Sequence, residues 1–245
     1  MPTPTKKPST TKSIEAIYDS LSRHYGTVLW EPRYNGISEL IFTVLTQHTS
    51  DRNAEKAFQQ LVDYFGIASS DDWIKVLNAD VEKIKSLIRS GGLSNIKAKR
   101  IKDILSQLFQ TYDSFDLSFL AELPLPEAKK KLNELPGVGP KTTAVVLSFA
   151  FGMPAFPVDT HIYRVTKRLG LIPEQISADE AHDELEKIIE PDLVFPMHVY
   201  LITHGRQICK ARKPLCNACP IESQCPSSTN VPRTQSSDLA SVVQW

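Results

Sequence analysis

From residue 13 onward the apolar side chains recur three to four residues apart and stop repeatedly at glycine, and nowhere do they alternate as a half-buried strand would. That pattern confines the chain to an all-α fold. Ile14, Ile17, Tyr18 and Leu21 form one stripe, closed by Gly26. Ser38 opens a helix that is apolar nearly all round, Leu40-Ile41-Phe42-Thr43-Val44-Leu45, and a helix with no face for water belongs at the centre of a core. Ala54, Ala57, Phe58, Leu61, Val62 and Phe65 end at Gly66; Val81, Ile84, Leu87 and Ile88 end at Gly91-Gly92; Ile101, Ile104, Leu105 and Leu108 follow. Residues 141 to 151 again leave almost no polar face. Ile162, Val165 and Leu169 precede Gly170, and Ser177-Ala-Asp-Glu180 reads as a capping box for a helix carrying Ala181, Leu185, Ile188 and Ile189. About ten helices are predicted.

With 41% of 245 residues hydrophobic, the chain can bury a core as one large domain or as two lobes. Its 28 basic and 28 acidic residues balance, which argues against a strongly basic, nonspecific DNA coat protein; a polyanion site must come from local clustering. No run reaches membrane-spanning length and residues 1–12 lack the apolar segment of a secretion signal, so a soluble, unexported protein is expected, in the cytoplasm and without a membrane partner. Nothing argues for an oligomer, and a monomer is expected. Residues 1–12 and 227–245, rich in Ser, Thr, Pro and Gln, read as disordered tails.

The turn Leu135-Pro136-Gly137-Val138-Gly139-Pro140-Lys141-Thr142 carries the first chemical signal. Gly137 and Gly139 let the main chain turn with open N–H groups, and Pro140 suits the first position of the next helix. Such a helix start binds anions. Lys141 lies in its first turn, where the positive end of the helix dipole disfavours the ammonium form; a neutral amine is what nucleophilic catalysis requires. Asp159, followed by Thr-His-Ile-Tyr-Arg-Val, reads as the N-cap of another helix, a role that does not exclude catalysis.

All four cysteines, Cys209, Cys216, Cys219 and Cys225, fall within seventeen residues with spacing C-x6-C-x2-C-x5-C. In an unexported chain this favours a metal centre over disulfides. Four thiolates suit tetrahedral zinc and an iron–sulfur cluster equally well by chemistry alone. Arg206 precedes the first cysteine, and Lys210, Arg212 and Lys213 stand between the first two with no acid among them, a candidate phosphate clamp.

Taken together, the Leu-Pro-Gly-Val-Gly-x-Lys-Thr turn, the Val158-Asp-Thr-His-Ile-x-Arg-Val segment and the His204-Gly-Arg-x-x-Cys-x-Ala-Arg-Lys-Pro-x-Cys run resemble endonuclease III, of the helix-hairpin-helix DNA glycosylase superfamily. The resemblance covers roughly residues 14 to 226. It implies an all-α, two-lobed fold: a six-helix barrel lobe over residues 34–146, and a cluster lobe formed by residues 13–33 with 147–226. It implies a [4Fe–4S] cluster on the four cysteines, Lys141 as nucleophile, Asp159 as catalytic carboxylate, and Gly137 and Gly139 as the hairpin glycines. The implied partner is duplex DNA containing a damaged base or an abasic site. The implied reaction is base release by lysine attack on C1′, then β-elimination, with oxidised pyrimidines as the default lesion. In that family a glutamine fills the gap left by the extruded base. Matching without gaps through Asp51, Lys56 and Ala57 puts His48 at that place, beside Gln47, and both are candidate DNA contacts. Two rival readings are a monofunctional glycosylase, against which Lys141 counts, and a noncatalytic DNA-binding protein, against which Lys141 and Asp159 count together.

Overall fold

Asn35 starts the helix around which half the molecule packs: its side-chain oxygen accepts from the Ser38 amide at 3.0 Å, so the helix opens at Gly36 rather than at Ser38. In this computed structural model, which describes residues 10–228, every described element is helical and no strand occurs among the described residues. Eleven α-helices are described: α1 (Thr10–Tyr25), α2 (Gly36–Thr46), α3 (Asp51–Phe65), α4 (Trp73–Asn78), α5 (Val81–Leu87), α6 (Ser94–Tyr112), α7 (Leu125–Asn133), α8 (Pro140–Phe151), α9 (Thr160–Arg168), α10 (Ala178–Ile188) and α11 (Val194–Gln207). The predicted stops hold where glycine takes the left-handed conformation, as at Gly66 (φ 60°). The Ser177–Glu180 capping box forms with both of its bonds. Helix α1 begins at Thr10, inside the segment expected as a tail. The rest of that tail, residues 1–9, and most of the second, residues 229–245, lie outside the described residues, whereas Ser228 is buried. No described helix is long and apolar enough to cross a membrane.

The apolar residues gather into two cores. One is built from α2 to α8 and holds Ile41, Leu45, Trp73, Ile104 and Leu147; the other joins α1 to α9, α10 and α11 and holds Ile17, Leu21, Ile162, Leu185 and Met197. Helix α2 is buried from Gly36 to Leu45, as its lack of a polar face demands. The chain crosses between cores twice, after α1 and again between Ala155 and Phe156. The expected lobe boundary at 146 lies within α8, which continues unbroken to Phe151.

Polar struts fix the second crossing. Glu186 accepts from the Phe156 amide at 2.8 Å and pairs with Lys129, which also reaches Asp183 at 2.9 Å, so α7 is fastened to α10. Near the first crossing, the Trp30 indole donates to the Ser148 carbonyl at 2.8 Å. These bonds set how the end of one core faces the start of the other, where the residues singled out in the sequence meet.

Candidate active site and cysteine loop

The α7–α8 turn is anchored by two buried side chains, Leu135 and Val138, and by the Val138 amide donating to the Leu135 carbonyl at 3.1 Å. Between them Gly137 adopts φ +71°, and a Cβ there would lie 2.0 Å from Arg100 Nε. The position therefore demands glycine twice, for its backbone and for the guanidinium crossing it. Gly139 differs: it is the extended N-cap of α8 and faces open space. Pro140 opens the helix, the Thr143 amide is the first to find a carbonyl, that of Gly139 at 3.0 Å, and the amides before it are those a helix start leaves for an anion. Lys141 is exposed on this first turn and, among the described residues, its amine has no hydrogen-bond or ion-pair partner.

Asp159 is half-buried at the start of α9, where its carboxylate accepts from the Ile162 amide at 2.7 Å, as the sequence predicts for an N-cap. The strand of backbone leading to it rests on two buried histidines that sequence reasoning missed. His182 of α10 donates Nδ1–H to the Phe156 carbonyl at 2.8 Å, beside the Val158 amide; His198 of α11 donates to the Pro157 carbonyl at 3.0 Å. Burial pushes His198 down to about 4, with the Pro157 carbonyl and Asp159 opposing that shift and Lys141 and Arg206 reinforcing it. His198 is thus a neutral imidazole at neutral pH, bonded to the segment that leads into Asp159. The only sequence signal for it was a histidine on an apolar helix, which more often marks a satisfied core residue.

Gln47 and His48 follow α2 with opposite fates. The Gln47 amide nitrogen donates to the Gly137 carbonyl at 3.3 Å and to Thr142 Oγ1 at 3.2 Å, and its oxygen accepts from Arg100, so this side chain is tied to the hairpin. His48 is exposed with left-handed backbone, φ 53°. A second exposed residue with such backbone, Leu93 at φ 47° and 52% exposed, follows the Arg89–Gly91 turn that Thr49 bonds through the Gly91 carbonyl. An apolar side chain held out in this way was not anticipated; its one signal was its place directly after Gly91-Gly92.

Two arginines of α9 fasten the cysteine loop. Arg164 donates to the Cys209 carbonyl at 2.9 Å and the Gly205 carbonyl at 2.8 Å. Arg168 donates to the Lys210 carbonyl at 2.8 Å, the Ala211 carbonyl at 3.1 Å and Cys209 Sγ at 3.3 Å. All four cysteines line one cavity of about 210 Å³ with apolar walls that include Leu169, Ile208 and Ile221. Among the described residues, no three His, Cys, Asp or Glu side chains come together closely enough to hold a single metal ion. Burial raises the Cys219 thiol to about 11 and also raises Cys225. Arg212 and Lys213 are exposed, Lys213 with φ 54°. Arg206, grouped with them by sequence, stands apart: it belongs to the last turn of α11 and pairs with Asp51 of α3 at 3.0 Å, joining the two cores.

With this geometry in hand, the likeness to known proteins extends along most of the chain. The profile of the "HhH-GPD superfamily base excision DNA repair protein" family matches residues 41–191. Endonuclease III of Rickettsia felis is 36% identical over 213 residues, covering 86% of this chain and 93% of that protein. Endonuclease III of Thermotoga maritima is 34% identical over 186 residues, covering 76% and 80%. The solved structure of a trapped endonuclease III–DNA covalent intermediate superposes with a TM-score of 0.74 at 30% identity, covering 91% of this chain and 98% of that one. A thermostable thymine-DNA glycosylase shares the fold with a TM-score of 0.73 at 22% identity. Identity spread over nearly the whole of both chains, on a common all-α fold, makes this chain a member of the endonuclease III family within the HhH-GPD superfamily of base excision DNA repair proteins.

Proposed function

We propose that this DNA glycosylase of base excision repair releases a damaged base through covalent catalysis by Lys141 and then nicks the strand as an AP lyase. The observation that carries the reading is an exposed Lys141 with no hydrogen-bond or ion-pair partner among the described residues on an open helix start, with Asp159 capping a helix of the other core. A base stacked in duplex DNA is out of reach, so it must first be extruded at a cost of a few kcal/mol, least for a poorly stacked lesion. The open amides around Gly137 and Gly139 hold a phosphate of the damaged strand. The Lys141 amine attacks C1′ of the deoxyribose, the glycosidic bond breaks, and the base departs with its electron pair and takes up a proton. Ring opening leaves a Schiff base, from which β-elimination cleaves the strand on the 3′ side. The Asp159 carboxylate stabilises the positive charge that develops at the sugar and accepts protons around the amine.

His48 is assigned the gap left by the extruded base, since Gln47 is engaged with the hairpin, and Leu93 is assigned the role of an apolar wedge against the adjacent stack. Arg212 and Lys213 supply phosphate contacts; Arg206 joins them only by giving up Asp51. Oxidised pyrimidines in duplex DNA are the proposed substrates and the working unit is a monomer.

The four cysteines are proposed to hold a [4Fe–4S] cluster. All four thiols line one cavity, which suits the corners of the cluster that the endonuclease III likeness implies. When bound, it supplies four bonds that close the 209–225 loop and stiffen Arg212 and Lys213; base release needs no step through it.

Borohydride reduction on an abasic-site duplex tests the reading. The wild-type protein should form a covalent adduct that disappears in Lys141→Gln, and active protein that excises a lesion without any adduct would establish the monofunctional alternative. Iron and sulfide in the purified protein, with broad absorbance in the visible, are expected; zinc alone would overturn the cluster assignment.

A further inference from the structure

Helix α6 carries two cations one turn apart, Lys97 and Arg100, whose bonding differs from that of an ordinary surface lysine or arginine. Lys97 is 1% exposed. Its ammonium donates to the Leu45 carbonyl at 2.6 Å, Thr49 Oγ1 at 2.7 Å and the Gly91 carbonyl at 2.9 Å, which satisfies all three of its donors. None of those acceptors is a carboxylate. A buried ammonium met only by neutral oxygens is a poor device for stability, because an apolar side chain of the same shape avoids the desolvation. Burial, reinforced by Arg100, draws this amine down to about 8.

The acceptors lie in the end of α2, in the loop after it, and in the Arg89–Gly91 turn. These segments lead directly into His48 and Leu93, two of the four exposed non-glycine residues with left-handed backbone among the described residues. The Thr49 hydroxyl bonds the Gly91 carbonyl as well, so the two segments are also joined to each other. One turn further along, Arg100 crosses Gly137 so closely that only glycine fits beneath it, and donates to Gln47, whose amide donates in turn to Gly137 and Thr142. One face of α6 therefore touches the loop at 47–50, the turn at 89–93 and the hairpin.

We infer that Lys97 and Arg100 form a positioning clamp that holds His48 and Leu93 in register with the phosphate-gripping hairpin, so that backbone grip and gap filling act as one event. The inference rests on the assignment of the hairpin and His48 to the DNA-facing surface. Side chains ordered before DNA arrives need not be ordered during base extrusion, and removing either cation shifts that requirement into the extrusion step.

Two measurements on each of Arg100→Gln and Lys97→Met separate this from a structural role. The first compares single-turnover release of a lesion base with β-elimination at a preformed abasic site in the same duplex context, where no base has to be evicted. Release should slow on the order of tenfold while elimination changes less than about threefold. Equal losses in both reactions, or undiminished release, would overturn the clamp. The second is hydrogen exchange in the DNA-free protein: amides at 47–50 and 89–93 should exchange faster in the variants while those inside α2 and α8 do not. Unchanged exchange overturns the clamp even if the wild-type protein shows no excision, a result that would instead sink the catalytic reading. Arg100 is partly exposed, so Arg100→Gln keeps both tests open should Lys97→Met fail to fold.

Discussion

The hairpin before α8 and the cysteine loop after α11 are held by opposite means. The hairpin relies on backbone stereochemistry: a left-handed Gly137, an extended Gly139, a proline at the first helical position and two buried anchors. The cysteine loop relies on side chains from elsewhere, with Arg164 and Arg168 of α9 donating to the carbonyls of Cys209, Lys210 and Ala211. The first arrangement leaves the Lys141 amine without a hydrogen-bond or ion-pair partner among the described residues, as its proposed role requires. The second commits the loop's carbonyls and leaves the exposed cations Lys210, Arg212 and Lys213 for a partner. A reactive corner profits from being shaped by the main chain, because no side chain has to serve both as support and as reagent.

The largest departure from this contrast should come at Asp159, which caps α9 and is proposed to act in catalysis as well. Asp159→Asn keeps an N-cap acceptor for the Ile162 amide and should slow base release about 10²-fold in single-turnover assays with little loss of stability. Asp159→Ala should show the same slowing and lose about 1 kcal/mol in denaturant melts besides. If the two variants are equally stable, the cap contributes nothing. Next in size is His198, beneath the segment that presents Asp159. Its folded value of about 4 lies below the ordinary 6.5, so the unfolded chain binds more protons between those pH values and stability rises with pH across that window. Acidification from 6.5 to 4 should therefore remove up to roughly 3 kcal/mol through this residue, a share of the slope that His198→Gln should abolish while the share of the other buried histidines persists.

The two hairpin glycines test whether backbone geometry is the support. Gly137→Ala meets both a left-handed backbone and Arg100, and should cost about 1–2 kcal/mol in thermal or chemical melts. Gly139→Ala, extended and facing open space, should melt like the wild type yet bind DNA more weakly, because its methyl group stands where a phosphate must approach. Equal stability of the two variants would break the contrast. The smallest effect belongs to the cysteine loop: Arg212→Ala with Lys213→Ala should flatten the salt dependence of DNA binding by about 0.9 per lost phosphate contact, with excision of bound substrate unaltered. An unchanged slope would make these cations ordinary surface.

Local signals were legible in the sequence. The glycine stops, the Ser177 capping box, the Asp159 cap and the hairpin all formed as read, because each depends on a few neighbouring residues. Three helices escaped the reading. Helix α4 has only six residues, α7 opens on a proline dipeptide, and α11 carries Pro196 in its first turn, so none displays a long clean stripe. Lys97 escaped for a different reason: among other lysines and arginines on α6 it looks like part of a solvated face. Arg206 was grouped with the cysteine-loop cations by proximity in sequence, yet its partner is Asp51, 155 residues earlier.

The sequence by itself determined an all-α chain, a glycine-flanked helix start carrying a lysine, and four thiols within seventeen residues, since period, turn chemistry and ligand spacing are properties of short segments. Only the tertiary structure decided which side chains meet. It set His198 against the segment that leads into Asp159, tied Gln47 to the hairpin while leaving His48 outward, and brought the cysteines to one cavity. Those outcomes depend on how two cores built from interleaved segments of the chain pack against each other, and that packing is encoded by contacts between residues far apart in sequence.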